Sequence, residues 1–152
     1  MSDMRRELLK FYEIGDRTNT ADVMRAFLAL DYPPDMADTK VDQAIALYDT
    51  HPRARLFGIE MNDELIGIVG VIGVGEEDLE IRHIAVLETF RGQGVGSEMI
   101  SAVQSRFSPE SLTAETDRGA VGFYRRLGFR VESLGEKYPG VERFLCTIGK
   151  ER

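Results

Sequence analysis

IRHIAVLETFRGQGVGSEMI, residues 81–100, is the stretch on which the fold turns. Residues 81–87 are mostly β-branched or apolar and read as a strand, which meets a short turn and then Arg91-Gly92-Gln93-Gly94-Val95-Gly96. After the last glycine the apolar residues change to helical spacing, with Val95, Met99, Ile100, Val103 and Phe107 on one side. The pattern predicts strand, glycine turn, helix.

Glycines at alternate positions remove the Cβ atoms that would hold a ligand away from the main chain, and they accept backbone angles that other residues resist. The first amides of the following helix have no intrahelical partners and point outward at the positive end of the helix dipole. Together these features make a cradle for a pyrophosphate. Arg91 at its mouth adds a full positive charge and a fork of donors suited to phosphate oxygens. Glycines also serve tight turns and close packing, so the turn alone leaves both roles open. The Walker lysine with its following Ser or Thr is missing, and glycines at 92, 94 and 96 do not have the dinucleotide spacing Gly-x-Gly-x-x-Gly.

The segment from Val86 to Gly96 resembles the acyl-CoA-binding motif of the GNAT (GCN5-related) N-acetyltransferases, Arg/Gln-x-x-Gly-x-Gly/Ala, with Arg91, Gly94 and Gly96 in the specified places. A second segment agrees with it. Asp117-x-x-Ala120-x-x-Phe123-Tyr124-x-x-x-Gly128-Phe129 is similar to the family's Asn-x-x-Ala-x-x-Phe-Tyr-x-x-x-Gly-Phe, with Asp117 in place of the usual Asn. The resemblance places Asp117 among the cofactor-binding residues; the exchange removes the family's side-chain amide there but keeps a capping side chain.

Working outward, residues 9–14 fit a first strand or a short helix, and a strand is the expectation. Thr18, Asn19 and Thr20 can each cap a helix over residues 21–30, and Pro33-Pro34 interrupts it before a second helix over 39–50. Residues 56–61 and 65–74 read as a hairpin around Asn62-Asp63-Glu64, followed by a strand over 79–86. A helix to Phe107, a short strand over 112–115, a helix capped by Thr116 or Asp117 and running to Leu127, and strands over 130–134 and 141–148 complete the chain. No repeat or interdomain linker appears, so residues 1–152 are expected to form a single domain. The order resembles the GNAT fold along nearly the whole chain. The implied class is α+β, with a mixed, mostly antiparallel sheet of about seven strands flanked by about four helices.

A net charge of −7 over 152 residues argues against nucleic acid, whose binding needs clustered Lys and Arg. The longest apolar run, 65–74, is broken by glycines and far short of the roughly 20 residues a membrane span needs. The lone Cys146 has no internal disulfide partner and suits a reducing cytoplasm, and its apolar neighbours point to a small buried hydrophobe. His51 and His83 lack ligand spacing, so no metal site is expected.

The resemblance implies an acyl-CoA-dependent N-acyltransferase that moves an acetyl group from acetyl-CoA to a primary amine by direct attack in a ternary complex. It implies pantetheine and acyl contacts at the main chain of Ile84, Ala85 and Val86, where the strand bulges and splays from its neighbour. It places the pyrophosphate on Arg91, Gly92, Gln93, Gly94, Val95, Gly96 and Ser97. Tyr124 becomes the acid for the leaving thiolate, since a phenol with an unperturbed pKa near 10 is protonated at neutral pH; its spacing with Ala120 and Leu127 equally suits a buried helix face. Glu80 stands at the position of the base in the family's histone acetyltransferases, and a surface pairing with an Arg is the other reading. Period-2 alternation puts His83 on the opposite sheet face. In the family the segment around Tyr32 and Asp35 often walls the acceptor side, and the C-terminal strand often pairs across a homodimer. A non-catalytic sensor of acyl-CoA is the rival from another class, distinguished by the absence of amine-dependent CoA release.

Overall fold

The computed structural model describes residues 8–15, 20–29 and 32–150. Among these residues the elements are β1 (Leu9–Ile14), α1 (Thr20–Leu28), α2 (Ala37–Thr50), β2 (Ala54–Met61), β3 (Glu64–Gly73), β4 (Asp78–Val86), a single 3₁₀ turn (Glu88–Phe90), α3 (Val95–Phe107), β5 (Ser111–Asp117), α4 (Val121–Arg126), β6 (Arg130–Tyr138) and β7 (Val141–Gly149). The strands form one seven-stranded sheet in the order β1-β2-β3-β4-β5-β7-β6. The expected α+β class, strand number and helix number are all present. Packing gathers the described residues into two compact units, one up to residue 71 together with 83–102, the other 72–82 together with 103 onward.

In the first unit β1 and β2 pair antiparallel from Leu9↔Met61 to Ile14↔Leu56. β2 and β3 are joined by Asn62 and Asp63 alone, both at positive φ (52° and 65°), the conformation a two-residue hairpin turn demands. Glu64, expected in the turn, is therefore the first residue of β3. The β3–β4 link is four residues, too short for a parallel crossover. One sheet face carries a core in which Met24, Phe27 and Leu28 of α1 and Val41 and Ala44 of α2 close over Leu56, Ile68 and Ala85. On β3, a Cβ built on Gly67 would lie 3.0 Å from the Met99 side chain of α3, so this glycine lets α3 pack closely.

The caps differ from expectation. Thr18 and Asn19 lie outside the described residues, as do Leu30 and Asp31. Thr20 is already helical, and its hydroxyl donates to the Gly15 carbonyl at 3.2 Å, tying the helix start to the end of β1. α2 begins at Ala37, two residues earlier than expected, after a turn in which the Met36 amide donates to Pro33 O.

In the second unit β4 pairs parallel with β5 over four residues, Asp78↔Ser111 to Ile81↔Ala114, although β4 runs on to Val86 and β5 to Asp117. The buried Ser111 hydroxyl donates to the buried Asp78 carboxylate at 2.6 Å and locks the start of that ladder. β5 pairs antiparallel with β7, and β7 with β6. Two register shifts let β6 continue past Leu134 to Tyr138, beyond the end its sequence suggests. Helix α4 also starts later than expected. Asp117 is the last residue of β5, and its carboxylate accepts the Ala120 amide at 3.0 Å, closing a turn that precedes the helix instead of capping its first residue. The exit is as expected: Gly128 at φ 93° donates to Arg125 O, Phe129 donates back to Tyr124 O, and the two rings meet edge-on.

Candidate functional site

The first unit supplies the strand end, the glycine turn and the helix start. The Leu87 amide donates to Ile66 O of β3 at 2.9 Å, and main-chain groups alternate sides along a strand. Ile84 and Val86 therefore turn their N–H and C=O groups away from β3. Ala85 faces β3 with its main chain and buries its methyl in the α1–α2 core. The 3₁₀ turn then brings the chain back, with Phe90 and Arg91 amides on Leu87 O and Glu88 O. The Arg91 guanidinium lies on the strand end, its Nε donating to Val86 O at 3.0 Å. The Gln93 side-chain amide holds the same turn by donating to Thr89 O at 3.1 Å.

Gly92 and Gly94 have φ of 77° and 87°, the left-handed region that favours glycine. A Cβ at either would meet nothing within 4 Å, so the backbone angle demands these glycines and the space before them is open. Gly96 lies inside α3. The first helical bond runs from Glu98 N to Gly94 O, which leaves the amides of Val95, Gly96 and Ser97 at the positive end of a 13-residue helix. Val95, Met99 and Ile100 are buried and fix that end in place. Open space, first-turn amides with no partner among the described residues, and a nearby guanidinium are what a pyrophosphate requires.

One pairing in this unit was not legible in the sequence. Tyr48 of α2 reaches His83 of β4, Oη to Nδ1 2.7 Å, and the phenol lies directly on the backbone of Gly70 in β3. Alternation along β4 signals the face of His83, the one shared with Ala85, but nothing local in the chain ties it to a residue 35 positions away. Tyr32 packs against the same core, and Asp35 is exposed.

The second unit holds Glu80, Asp117 and Tyr124. Glu80 is half-buried, sits opposite Thr113 in the ladder, and has Arg82 Nη1 at 3.7 Å. Tyr124 is 4% exposed, its ring held by Phe123 and Phe129 with centroids 5.0 and 5.2 Å away. Burial, reinforced by the neighbouring Cys146 sulfur, pushes its phenol up to about 12, so it is a proton donor and not a base at neutral pH. Cys146 is fully buried and its thiol is pushed up by burial, which makes it inert, as its apolar neighbours suggest. Among the described residues no group of three or more His, Cys, Asp or Glu is placed to hold a metal, and no helix is long and apolar enough to cross a membrane.

The sequence profile of the acetyltransferase (GNAT) domain matches residues 52–131. An uncharacterised N-acetyltransferase of Bacillus methanolicus is 30% identical over 92 residues, 60% of this chain and 77% of that protein. Among solved structures, a GNAT family acetyltransferase of Elizabethkingia anophelis with acetyl-CoA bound superposes with a TM-score of 0.71 at 20% identity, over 95% of this chain and 100% of that one. An aminoglycoside 6'-N-acetyltransferase complexed with coenzyme A does so with a TM-score of 0.72 at 17% identity, over 94% and 99%. At these identities the structural likeness establishes the fold.

Proposed function

The chain belongs to the GNAT acetyltransferase family, and from that premise we propose that it is an N-acetyltransferase. In this reading residues 1–152 form one domain that moves the acetyl group of acetyl-CoA directly to a primary amine. The observation that carries the reading is the glycine turn: left-handed Gly92 and Gly94 before open space, at the start of α3, where the helical bonding begins only at Glu98 N. Arg91, Gln93 and the amides from Gly94 to Ser97 take the pyrophosphate, and the outward main-chain groups of Ile84 and Val86 take the pantetheine as an added strand would. Solved relatives of the same fold carry acetyl-CoA or coenzyme A, which supports the choice of donor.

The amine nitrogen attacks the thioester carbon, the C–N bond forms and the C–S bond breaks. Main-chain amides at Ile84 and Val86 face the oxygen that gains charge. Glu80 accepts the acceptor's proton through water, and Tyr124 protonates the departing thiolate. Asp117 keeps the turn into α4 closed and so holds Tyr124's helix at its start. The acceptor is a small-molecule or protein amine.

The first test is a thermal-shift titration with acetyl-CoA, longer acyl-CoAs, CoA, ATP and NAD. A ligand that binds only the folded state raises the midpoint, so the CoA species are expected to shift it and ATP and NAD are not. No shift with millimolar CoA species would leave the glycine turn as plain structure. Arg91→Glu puts a repelling charge against the pyrophosphate and is expected to weaken CoA binding by about 10–100-fold, read by calorimetry. Unchanged affinity would remove Arg91 from the site.

A further inference from the structure

We propose that His83, held by Tyr48, is a second base that takes from a cationic acceptor the proton it must shed before attack, so that the acceptor served is a basic alkylamine. The inference rests on the acyl-transfer reading above, and proton balance calls for it. An alkylammonium ion, like a lysine side chain with an ordinary pKa of about 10.4, is protonated at neutral pH and has no lone pair to offer a thioester. It loses one N–H proton to become a nucleophile and a second as the C–N bond forms. In the mechanism above Glu80 takes that second proton and Tyr124 supplies one to sulfur, which leaves the first proton without an acceptor.

His83 is placed to take it. It directly precedes Ile84 on β4, whose main-chain amide faces the developing oxyanion in that reading. Its imidazole is half-buried, covered enough to be held and open enough to return a proton to water. Imidazole is also the side chain whose ordinary pKa lies nearest neutrality, so it can take up a proton and release it within one turnover. Tyr48 of α2 fixes the ring, with Oη 2.7 Å from Nδ1. In the tautomer that carries its proton on Nδ1, His83 donates to the phenol oxygen and has its lone pair at Nε2. Once Nε2 is protonated the same bond persists, now from an imidazolium, so Tyr48 orients the ring before and after the transfer. Position 70 of β3 is kept clear for this pair, since a Cβ there would stand 1.7 Å from the phenol oxygen. Two apolar side chains would pack α2 on the sheet without a glycine in mid-strand, which weakens a strand.

The test varies the charge of the acceptor and not its shape. Ethylamine is a cation at neutral pH, whereas trifluoroethylamine, of nearly the same size, is uncharged there because fluorine withdraws density from the nitrogen. This pair and a panel of further primary amines are supplied, with saturating acetyl-CoA, to the unaltered protein, His83→Asn and Tyr48→Phe, and CoA release is followed. His83→Asn keeps a polar group for Tyr48 and removes the base. It is expected to lower kcat/KM for ethylamine about 10²-fold, the lower end for a positioned proton transfer, and for trifluoroethylamine by less than about threefold. Across the panel the loss is expected to grow with the basicity of the amine. Tyr48→Phe, which removes only the positioning hydroxyl, is expected to show the same selectivity at about three- to tenfold, the size of one hydrogen bond, with CoA affinity unchanged. Losses that do not depend on basicity, or no losses, overturn the proposal and leave acyl transfer standing. If His83→Asn melts too low to assay, Tyr48→Phe decides by the same criterion. An unaltered protein that binds no CoA, or releases none with any amine of the panel, overturns both.

Discussion

Tyr124→Phe is expected to lower kcat by about 10²–10⁴-fold while leaving the dissociation constant for CoA within about twofold, the signature of a lost proton donor. The environment of Tyr124 makes this a clean experiment. Its ring is fixed by edge contacts to Phe123 and Phe129, which a phenylalanine reproduces, so only the hydroxyl is removed. Burial pushes the phenol up to about 12, so the acid form is present at every pH at which the protein would be assayed. A basic limb in the kcat profile below about pH 10 would therefore belong to another group. The raised value also has a stability consequence: a folded-state pKa above the unfolded value of 10.0 gives stability that is complete below pH 10 and is lost as pH rises toward 12. A kcat within threefold of the unaltered enzyme would return Tyr124 to a packing role. A protein that releases no CoA on addition of any amine, before mutation, would be the sensor and not the enzyme.

Local signals in the sequence were reliable where one short stretch both sets and satisfies the backbone. The hairpin turn at Asn62 and Asp63, the glycine turn before α3 and the Gly128-Phe129 exit of α4 belong to this group, whereas the strand at Leu9–Ile14, whose local pattern fits strand or helix, is settled by its pairing with β2. The misplacements arise where a polar side chain has more than one local partner within reach. Thr20 bonds back to Gly15 instead of capping from outside the helix, and Asp117 closes the turn before α4 instead of starting it. The length of β6 depends on two register shifts against β7, which period-2 alternation in one strand does not reveal. The direction of Arg91 depends on the 3₁₀ turn that folds it onto Val86; the motif gives its charge and position but not what it touches. Tyr48 with His83 is a contact between helix and sheet far apart in the chain, and only the folded protein displays it.

Gly70→Ala is expected to destabilise the fold by about 1–3 kcal/mol, the range for overpacking a close-packed interior, which lowers the melting midpoint by several degrees. Gly70 is not among the glycines at positive φ, so alanine strains no backbone angle and the effect is steric alone. A Cβ there would stand 1.7 Å from the Tyr48 hydroxyl and 2.4 Å from its Cζ, distances no packed pair tolerates, so the phenol must leave. Its departure breaks the 2.7 Å hydrogen bond to His83, worth about 0.5–1.5 kcal/mol, and opens the α2 face of the core against which Tyr48 packs. A glycine in the middle of a strand is itself unfavourable by roughly 0.5–1 kcal/mol, and admitting this phenol is the reason the structure offers for keeping one. The double-mutant cycle with Tyr48→Leu decides the cause: with the phenol absent, Gly70→Ala is expected to cost markedly less than in the unaltered chain. Equal penalties in both backgrounds, measured by urea unfolding, would mean that Gly70 serves something other than Tyr48 and that the helix–sheet pairing is incidental to the fold.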